Sequence, residues 1–238
     1  FKSWQSIRIG GMAKGSGMVD PQMATMIGVI TTDANIRSAL LKKILLEVTE
    51  RTFNCLSIDG DRSTNDTVFA LANSLSKTEE IVEFSEAYDL FKQAFEAVCL
   101  KLTRDIAFDG EGATRMLEIE VTGAKSEEDA RIVAKKIVTS PLVKTALHGA
   151  DPNWGRLMAA LGSAGVAIVP EKVTITIDKI KLVSKGEGVK FDVAKVRKRL
   201  MKKEVLFVVD LGMGTKSGRA FGCDLSPEYV TFNAKYHT

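Results

Sequence analysis

Gly10-Gly11-Met12-Ala13-Lys14-Gly15-Ser16-Gly17-Met18-Val19-Asp20-Pro21-Gln22-Met23-Ala24-Thr25-Met26-Ile27-Gly28-Val29-Ile30 is the stretch on which the reading of the whole chain turns. A glycine-rich segment with a single lysine runs through Pro21 to an Ala24-Thr25 step. Met26 to Ile30 follows as an apolar run, which predicts a buried strand. If the bond between Ala24 and Thr25 is broken, Thr25 presents its hydroxyl beside its own free amine. An α-amino group has a pKa of about 8 and can accept the hydroxyl proton without help from a histidine. Scission can use the same hydroxyl, which attacks the Ala24 carbonyl to give an ester that water then cleaves. Glycines at 10, 11, 15 and 17 permit the positive-φ backbone that a strained scissile turn needs. These residues fit a plain glycine-rich turn leading into a strand equally well, and on their own they leave both readings open.

A chain of 238 residues is long enough for one large domain or two small ones. With 26% charged and 45% hydrophobic residues it has the composition of an ordinary globular protein. The formal charge of +3 is too small, and the lysines too scattered, to argue for nucleic acid or a membrane surface as partner. Arg197-Lys198-Arg199 with Lys202-Lys203 reads as the solvated face of a helix. Cys55, Cys99 and Cys223 form no CxxC pattern, which argues for small buried thiols, a reducing (cytoplasmic) compartment and no metal site. No apolar run reaches membrane-spanning length and no signal peptide is visible. A chain that starts at Phe1 is expected to be a fragment or a processed product.

The remaining elements follow from periodicity and capping. Phe1 to Ile9 alternates loosely and is expected to be a strand feeding the glycine-rich segment. Ile36, Leu40, Leu41, Ile44, Leu45 and Val48 keep helical spacing, with Thr32 or Asp33 as the cap. Cys55 to Ile58 predicts a short strand, and Asp59-Gly60-Asp61 a turn. Val68 to Ala72 fits strand or helix. Glu79 to Ile106 predicts one long helix, with Phe91, Phe95, Val98 and Leu102 along one face as core. Leu117, Ile119 and Val121 alternate with Glu118 and Glu120, as in a half-exposed strand. Ser126, Ser140-Pro141, Asp151-Pro152, Asp192 and Ser226-Pro227 each predict a helix start, and Gly149 and Gly162 fit helix ends. Val173 to Ile177, Ile180 to Val183 and Val205 to Val209 predict strands, with Lys185 to Gly188 a turn. Gly212 to Gly218 fails the phosphate-loop pattern, because Thr215 stands where a glycine should be, and reads as a hairpin joining Val205–Val209 to Arg219–Cys223. His148 and His237 show no nearby Ser/Asp arrangement. The order of elements is mixed α/β, with a weak composition shift near Gly123.

Several segments of this sequence resemble the bifunctional glutamate N-acetyltransferase/ornithine acetyltransferase family of arginine biosynthesis. They are Lys14-Gly15-Ser16-Gly17-Met18, Pro21-Gln22-Met23-Ala24-Thr25-Met26, Thr31-Thr32-Asp33-Ala34, Ser63-Thr64-Asn65-Asp66-Thr67, Asp109-Gly110-Glu111-Gly112-Ala113-Thr114, Asp151-Pro152-Asn153-Trp154-Gly155-Arg156, Phe221-Gly222-Cys223-Asp224-Leu225 and Asn233-Ala234-Lys235-Tyr236-His237-Thr238. The resemblance implies a layered α/β sandwich of the self-processing ornithine acetyltransferase type, with a second, smaller α/β lobe. It divides the chain into residues 1–24, a remnant of an α-chain with the processing segment; 25–123, the catalytic part of the β-chain; and 124–238, the second lobe and a tail closing the site.

The activity so implied moves an acetyl group from N-acetylornithine to Thr25 and then to glutamate, with acetyl-CoA as a further candidate donor and no cofactor or metal. Thr25 is the implied nucleophile after cleavage between Ala24 and Thr25. Lys14, Glu111, Asn233 and Thr238 are implied substrate-binding residues, although by itself Lys14 is an ordinary solvated loop lysine, Glu111 a turn residue, and the tail is expected to be disordered. Asp151 to Arg156 matches the family but is explained by turn and cap chemistry. The donors for the tetrahedral oxyanion are implied to come from a Thr-Gly pair in the earlier α-chain, so this chain alone is expected to be inactive. The implied partners are the α-chain and further copies of the αβ unit. Two readings from other classes stand beside this one: an amidase or aminopeptidase with an N-terminal nucleophile, and a non-catalytic ligand-binding fragment with an intact Ala24-Thr25 bond.

Overall fold

The computed structural model describes residues 6–20, 26–62 and 64–236. Ala24, Thr25, Ser63, His237 and Thr238 lie outside the described residues. The first strand, β1 (Ile9–Lys14), is formed by the glycine-rich segment itself, and residues 6–8 ahead of it are not in a strand. It pairs antiparallel with β2 (Ile27–Thr32), from Ile9 opposite Thr32 to Lys14 opposite Ile27. The chain then forms α1 (Ser38–Arg51), a 3-10 turn, the two-residue β3 (Leu56–Ser57) and β4 (Thr67–Ala72), which pairs parallel with β2. The ambiguous run at 68–72 is therefore a strand, and β2 is the centre of a three-stranded sheet in the order β1-β2-β4.

This sheet has two unlike faces. Ile30 and Gly28 point inward, where Met26, Ile44, Val48, Phe53, Phe91 and Phe95 form a buried cluster. The register places Met12, Val29 and Phe69 in one row on the opposite face, with Ile27 and Leu71 in the rows beside it. Met12 is 73% exposed and Phe69 51%, so β2 is a one-sided strand rather than a fully buried one.

The rest of the chain forms α2 (Glu86–Phe108), β5 (Met116–Ala124), α3 (Glu127–Val138), α4 (Pro141–His148), α5 (Trp154–Gly162), β6 (Thr174–Ile177), β7 (Ile180–Ser184), β8 (Glu187–Gly188), α6 (Val193–Leu200), β9 (Glu204–Asp210), β10 (Lys216–Cys223) and α7 (Pro227–Lys235). The seven-stranded sheet runs β3-β10-β5-β9-β6-β7-β8. Helix α3 packs on β10 and β5, and α2 touches both sheets through β1 on one side and β10 on the other. Strands from both sides of Gly123 share this larger sheet, most of which belongs to residues 124–238, the part expected to be the smaller lobe. The side chains of Ser85, Ser126, Ser140 and Asp192 each accept a backbone N–H three residues on, which satisfies one of the free donors at a helix start.

Five expectations about these elements need correction. Helix α1 begins at Ser38 after Arg37, so neither Thr32, which ends β2, nor Asp33 caps it. The long helix begins at Glu86, not Glu79: Ile81 is buried in a bridge to Ile36, and Phe84 has a φ of 66°, which no helix continues through. Asp151 and Pro152 do not start α5, whose first residue is Trp154 after Asn153. The hairpin from 205–209 to 219–223 does not form, because β5 lies between β9 and β10, parallel to the first and antiparallel to the second. Leu117, Ile119 and Val121 on β5 are wholly buried and favour that interior place.

The same place explains the fifth correction. β5 is covered on both faces, so Glu118 is 5% exposed rather than solvated, and Arg104 from α2 and Arg219 from β10 neutralise it.

Phe95 is completely buried on α2 where the helix meets the smaller sheet. Phe95→Ala is expected to lower the unfolding free energy by about 3–5 kcal/mol in urea titration; a loss below about 1 kcal/mol would contradict this packing.

Candidate active site

The backbone on both sides of residues 21–25 is pinned. Upstream, the Met18 and Val19 amides donate to the two oxygens of Asp59 at 2.7 and 3.0 Å, and the Ile58 amide donates to Val19 O at 2.7 Å. The Asp20 carboxylate lies 2.9 Å from Lys135 Nζ, which also donates to the carbonyls of Asn54 and Leu56. Burial pulls the Lys135 ammonium down, and the charge of Asp20 opposes that shift. Downstream, the Met26 amide donates to Asp66 Oδ1, and the Thr67 amide donates to Met26 O at 3.0 Å. Lys14 ends β1 opposite Ile27, so the pairing of β1 with β2 continues almost to residues 21–25.

Glu111 reaches the same loop from the far end of α2. Its amide donates to Ser16 O at 2.8 Å, and a Cβ added to Gly17 would lie 2.6 Å from its carboxyl group. Gly112, with a φ of +66°, makes the turn that aims it, and no side chain would fit there beside the Tyr229 amide. Asn233 Nδ2 donates to Glu111 Oε2 at 3.0 Å. Two residues 122 positions apart are thus in direct contact.

Helix α7 provides the means. Ser226, Tyr229 and Asn233, spaced three and four apart on one face, bond respectively to Gly112 O (2.6 Å), Asp59 Oδ2 (3.2 Å) and Glu111. Ser226 uses its hydroxyl for this contact and does not cap the helix with it. Burial, together with the Asp59 carboxylate, pushes the Tyr229 phenol up, which keeps it a donor. Residues 227–235 are therefore helical and held beside the Gly17–Glu111 contact, as the helix start at Ser226-Pro227 allows.

The ArgJ family model matches residues 1–238. The chain belongs to the ArgJ family. It is 45% identical over 234 residues to the arginine biosynthesis bifunctional protein ArgJ of Bacillus cereus, and 45% identical over 233 residues to that of Symbiobacterium thermophilum. Each match covers 98% of this chain and 58% of the relative, so the chain spans well under two thirds of their length. A crystal structure of the arginine biosynthesis bifunctional protein ArgJ from Bacillus halodurans superposes with a TM-score of 0.84 at 40% identity, covering 87% of this chain and 97% of that one. The α/β fold of this ArgJ-family chain is that of the solved relative.

Of the residues the sequence singled out, the structure joins Glu111 and Asn233, puts Lys14 on β1 beside Ile27, and leaves Thr25 and Thr238 outside the described residues. Asp59, Asp66 and Tyr229 are connected to the same loop, and sequence reasoning gave none of them a role. Asp59-Gly60 reads as a turn and Tyr229 as one helix residue among others; only Asp66, within a quoted motif, carried any signal.

His148 does have an acidic neighbour, which corrects the earlier reading. Its Nδ1 is 2.7 Å from Asp224 Oδ2, and Thr114 Oγ1 donates to that same oxygen at 2.6 Å. The carboxylate sits in the middle and the threonine hydroxyl bonds to it rather than to the imidazole, so no nucleophile–base pair results. The cluster instead ties β10 to the end of α4. Burial would raise the Asp224 carboxyl, but the Thr114 hydroxyl, His148 and two backbone amides outweigh it and leave the pKa lowered.

A cavity of about 700 Å³ lies elsewhere, between α1 and α3. It is lined by Asp20 and Lys135 among others but by none of Lys14, Glu111 or Asn233. Among the described residues no helix is long and apolar enough to cross a membrane.

Gly17→Ala is expected to push the Glu111 carboxylate off Asn233 with little change in melting temperature, because the atom in the way ends a flexible side chain; a crystal structure with the bond intact would refute this. Asp224, with its folded pKa lowered, adds stability above the pKa of an unfolded aspartate and loses it as pH falls. Asp224→Ala should therefore destabilise the fold clearly at pH 7 and hardly at pH 2, as read by chemical denaturation at both.

Proposed function

We propose that this chain is the acyl-accepting part of an acetyltransferase that moves an acetyl group from N-acetylornithine to glutamate in arginine biosynthesis. The name of these relatives places them in that pathway and calls them bifunctional; the chemistry is inferred from residues. Scission between Ala24 and Thr25 frees an amine beside the Thr25 hydroxyl. The amine takes the hydroxyl proton as the oxygen attacks the acetyl carbonyl, and returns it to the departing ornithine amine. Glutamate then attacks the acetyl-threonine ester, and the hydroxyl is restored. Acetyl-CoA is a second candidate donor through the same ester, and no cofactor or metal takes part.

The observation that carries this reading is the contact of Glu111 with Asn233 against Gly17, in the loop that leads to residues 21–25. A carboxylate with one oxygen held by an amide is suited to the cationic amine of ornithine, and Lys14 to a substrate carboxylate. Thr238 is two residues beyond Tyr236 and completes the enclosure in this reading. That the 97% of a solved ArgJ chain is covered by 87% of this one also fits, since residues 25–238 make up a similar share.

The remaining part of the enzyme is proposed to be an α-chain that supplies the oxyanion donors, in a homo-oligomer of αβ units in the cytoplasm. The exposed sheet face that carries Met12, Phe69 and Leu71 supports a partner, because apolar side chains grouped on one sheet face favour being covered.

Expressed together with its preceding segment, the protein should give two chains in denaturing mass spectrometry, the second starting at Thr25, and Thr25→Ala should give one. A single intact chain that transfers acetyl groups at full speed would refute the mechanism. Hydrolysis of peptide amides in preference to acetylornithine would point to the amidase reading. Removal of Thr238 should lower kcat/KM by about tenfold or more, consistent with loss of one substrate hydrogen bond.

A further inference from the structure

Asp224 and Ser226 are buried polar side chains that the proposed mechanism leaves unused, and both are fastened to the stretch of backbone that carries Glu111. That stretch, residues 109–115, joins α2 to β5. Ahead of the carboxylate, the Glu111 amide is held by Ser16 O at 2.8 Å. Behind it, Ser226 Oγ donates to Gly112 O at 2.6 Å. The Thr114 amide and hydroxyl donate to the two oxygens of Asp224 at 2.7 and 2.6 Å, and the Arg115 amide adds a bond of 2.9 Å to Oδ1. Residues 224–226 are anchored in turn, because the Asp224 amide donates to Arg115 O at 3.0 Å and the Leu225 amide to Lys144 O at 3.3 Å. Local needs do not explain these contacts. Ser226 stands at the start of α7, where a serine hydroxyl normally caps the helix, yet it makes no capping bond and reaches Gly112 instead. Gly112 leaves no slack, since a Cβ there would lie 2.9 Å from Ser226 Oγ and 2.5 Å from the Tyr229 amide nitrogen.

We propose that Asp224 and Ser226 are positioning residues for Glu111, and that by fixing the reach of its carboxylate they govern the half-reaction with acetylornithine but not the one with glutamate. The proposal rests on the acetyl-transfer reading above, in which Glu111 receives the cationic amine of ornithine. A carboxylate–ammonium hydrogen bond weakens steeply as its length and angle leave the optimum, so a small shift of the Gly110–Gly112 backbone is felt at the amine. The side chain of glutamate ends in a carboxylate where that of acetylornithine ends in an ammonium group, and its attack on the acetyl ester gains nothing from an anion at Glu111. Kinetics separate the two halves. In a double displacement, kcat/KM for acetylornithine reports the steps that form the acetyl-enzyme, and kcat/KM for glutamate the steps that consume it. Neither Asp224 nor Ser226 touches a substrate in this reading; each acts through the backbone of residues 112–115.

The test uses the protein with its preceding segment, each substrate being varied at fixed levels of the other. A wild type that transfers no acetyl group from acetylornithine would refute the acetyl-transfer reading, and the proposal falls with it. Glu111→Gln should lower kcat/KM for acetylornithine by about tenfold or more and leave that for glutamate within about twofold. An unselective effect, or none, would refute the role of Glu111 and therefore the proposal. Ser226→Ala is expected to lower kcat/KM for acetylornithine about fivefold, again with that for glutamate within about twofold. Unchanged constants would overturn the proposal while leaving the mechanism standing, and an equal fall in both would mark a merely structural role and overturn it too. In the Glu111→Gln background, Ser226→Ala should cost acetylornithine less than about twofold further, since nothing is left to position. A full additional loss there would overturn the proposal. Asp224→Ala should show the same selective loss, and Asp224→Asn should regain most of it, because the amide oxygen still accepts both backbone N–H groups. An asparagine variant as slow as the alanine one would overturn the assignment of Asp224. Should Asp224→Ala fail to fold, Ser226→Ala, which removes one hydroxyl, decides alone.

Discussion

The Asp59 carboxylate, accepting the Met18 and Val19 amides on its two oxygens, is the contact that the arrangement around residues 21–25 depends on. Glycine-rich backbone has many conformations open to it, and fixing one requires donors and acceptors from elsewhere in the fold. Asp59 provides two of them at the end of β3, and Tyr229 bonds to the same carboxylate from α7. One acidic side chain therefore joins the loop before Pro21 to the helix that brings Asn233 to Glu111. Without it the loop, the tail and the carboxylate would have no common reference point.

Buried charges are met by partners from other elements. Lys135 crosses from α3 to meet Asp20, and it spends its other donors on two carbonyls around β3, so its cation is neutralised and hydrogen-bonded at once. Glu118 is matched by arginines from two elements, and Asp224 by hydroxyl, imidazole and amide donors. Asp66 accepts the Met26 amide on one oxygen, directly beside β2.

Local chemistry made much of the chain legible. Ser126, Ser140 and Asp192 announced helix starts because each cap is settled within three residues. The apolar steps along α1 and α2 were clear for the same reason, since a helix face is a short-range pattern. The failures were long-range. Glu79 to Ser85 has helical composition but is diverted by a bridge from Ile81 to Ile36. Glu118 looked solvated because alternation cannot report that a second layer covers the other face. The supposed hairpin failed since sheet order is decided by which strand buries most, and β5 takes the place between β9 and β10. His148 and Asp224 are 76 residues apart, and no spacing rule joins them.

The sequence by itself determined the α/β class, the family and the identity of Lys14, Thr25, Glu111, Asn233 and Thr238 as the residues to examine, because their neighbours form ordered motifs along the whole chain. Tertiary structure alone decided that Glu111 meets Asn233 over Gly17, that Asp59 and Tyr229 secure that meeting, and that Asp66 binds the Met26 amide. The difference has a physical cause. Motifs and caps are written in residues that touch their sequence neighbours, whereas a site is made by side chains from distant segments, and only the packing of both sheets against α2 brings those segments together.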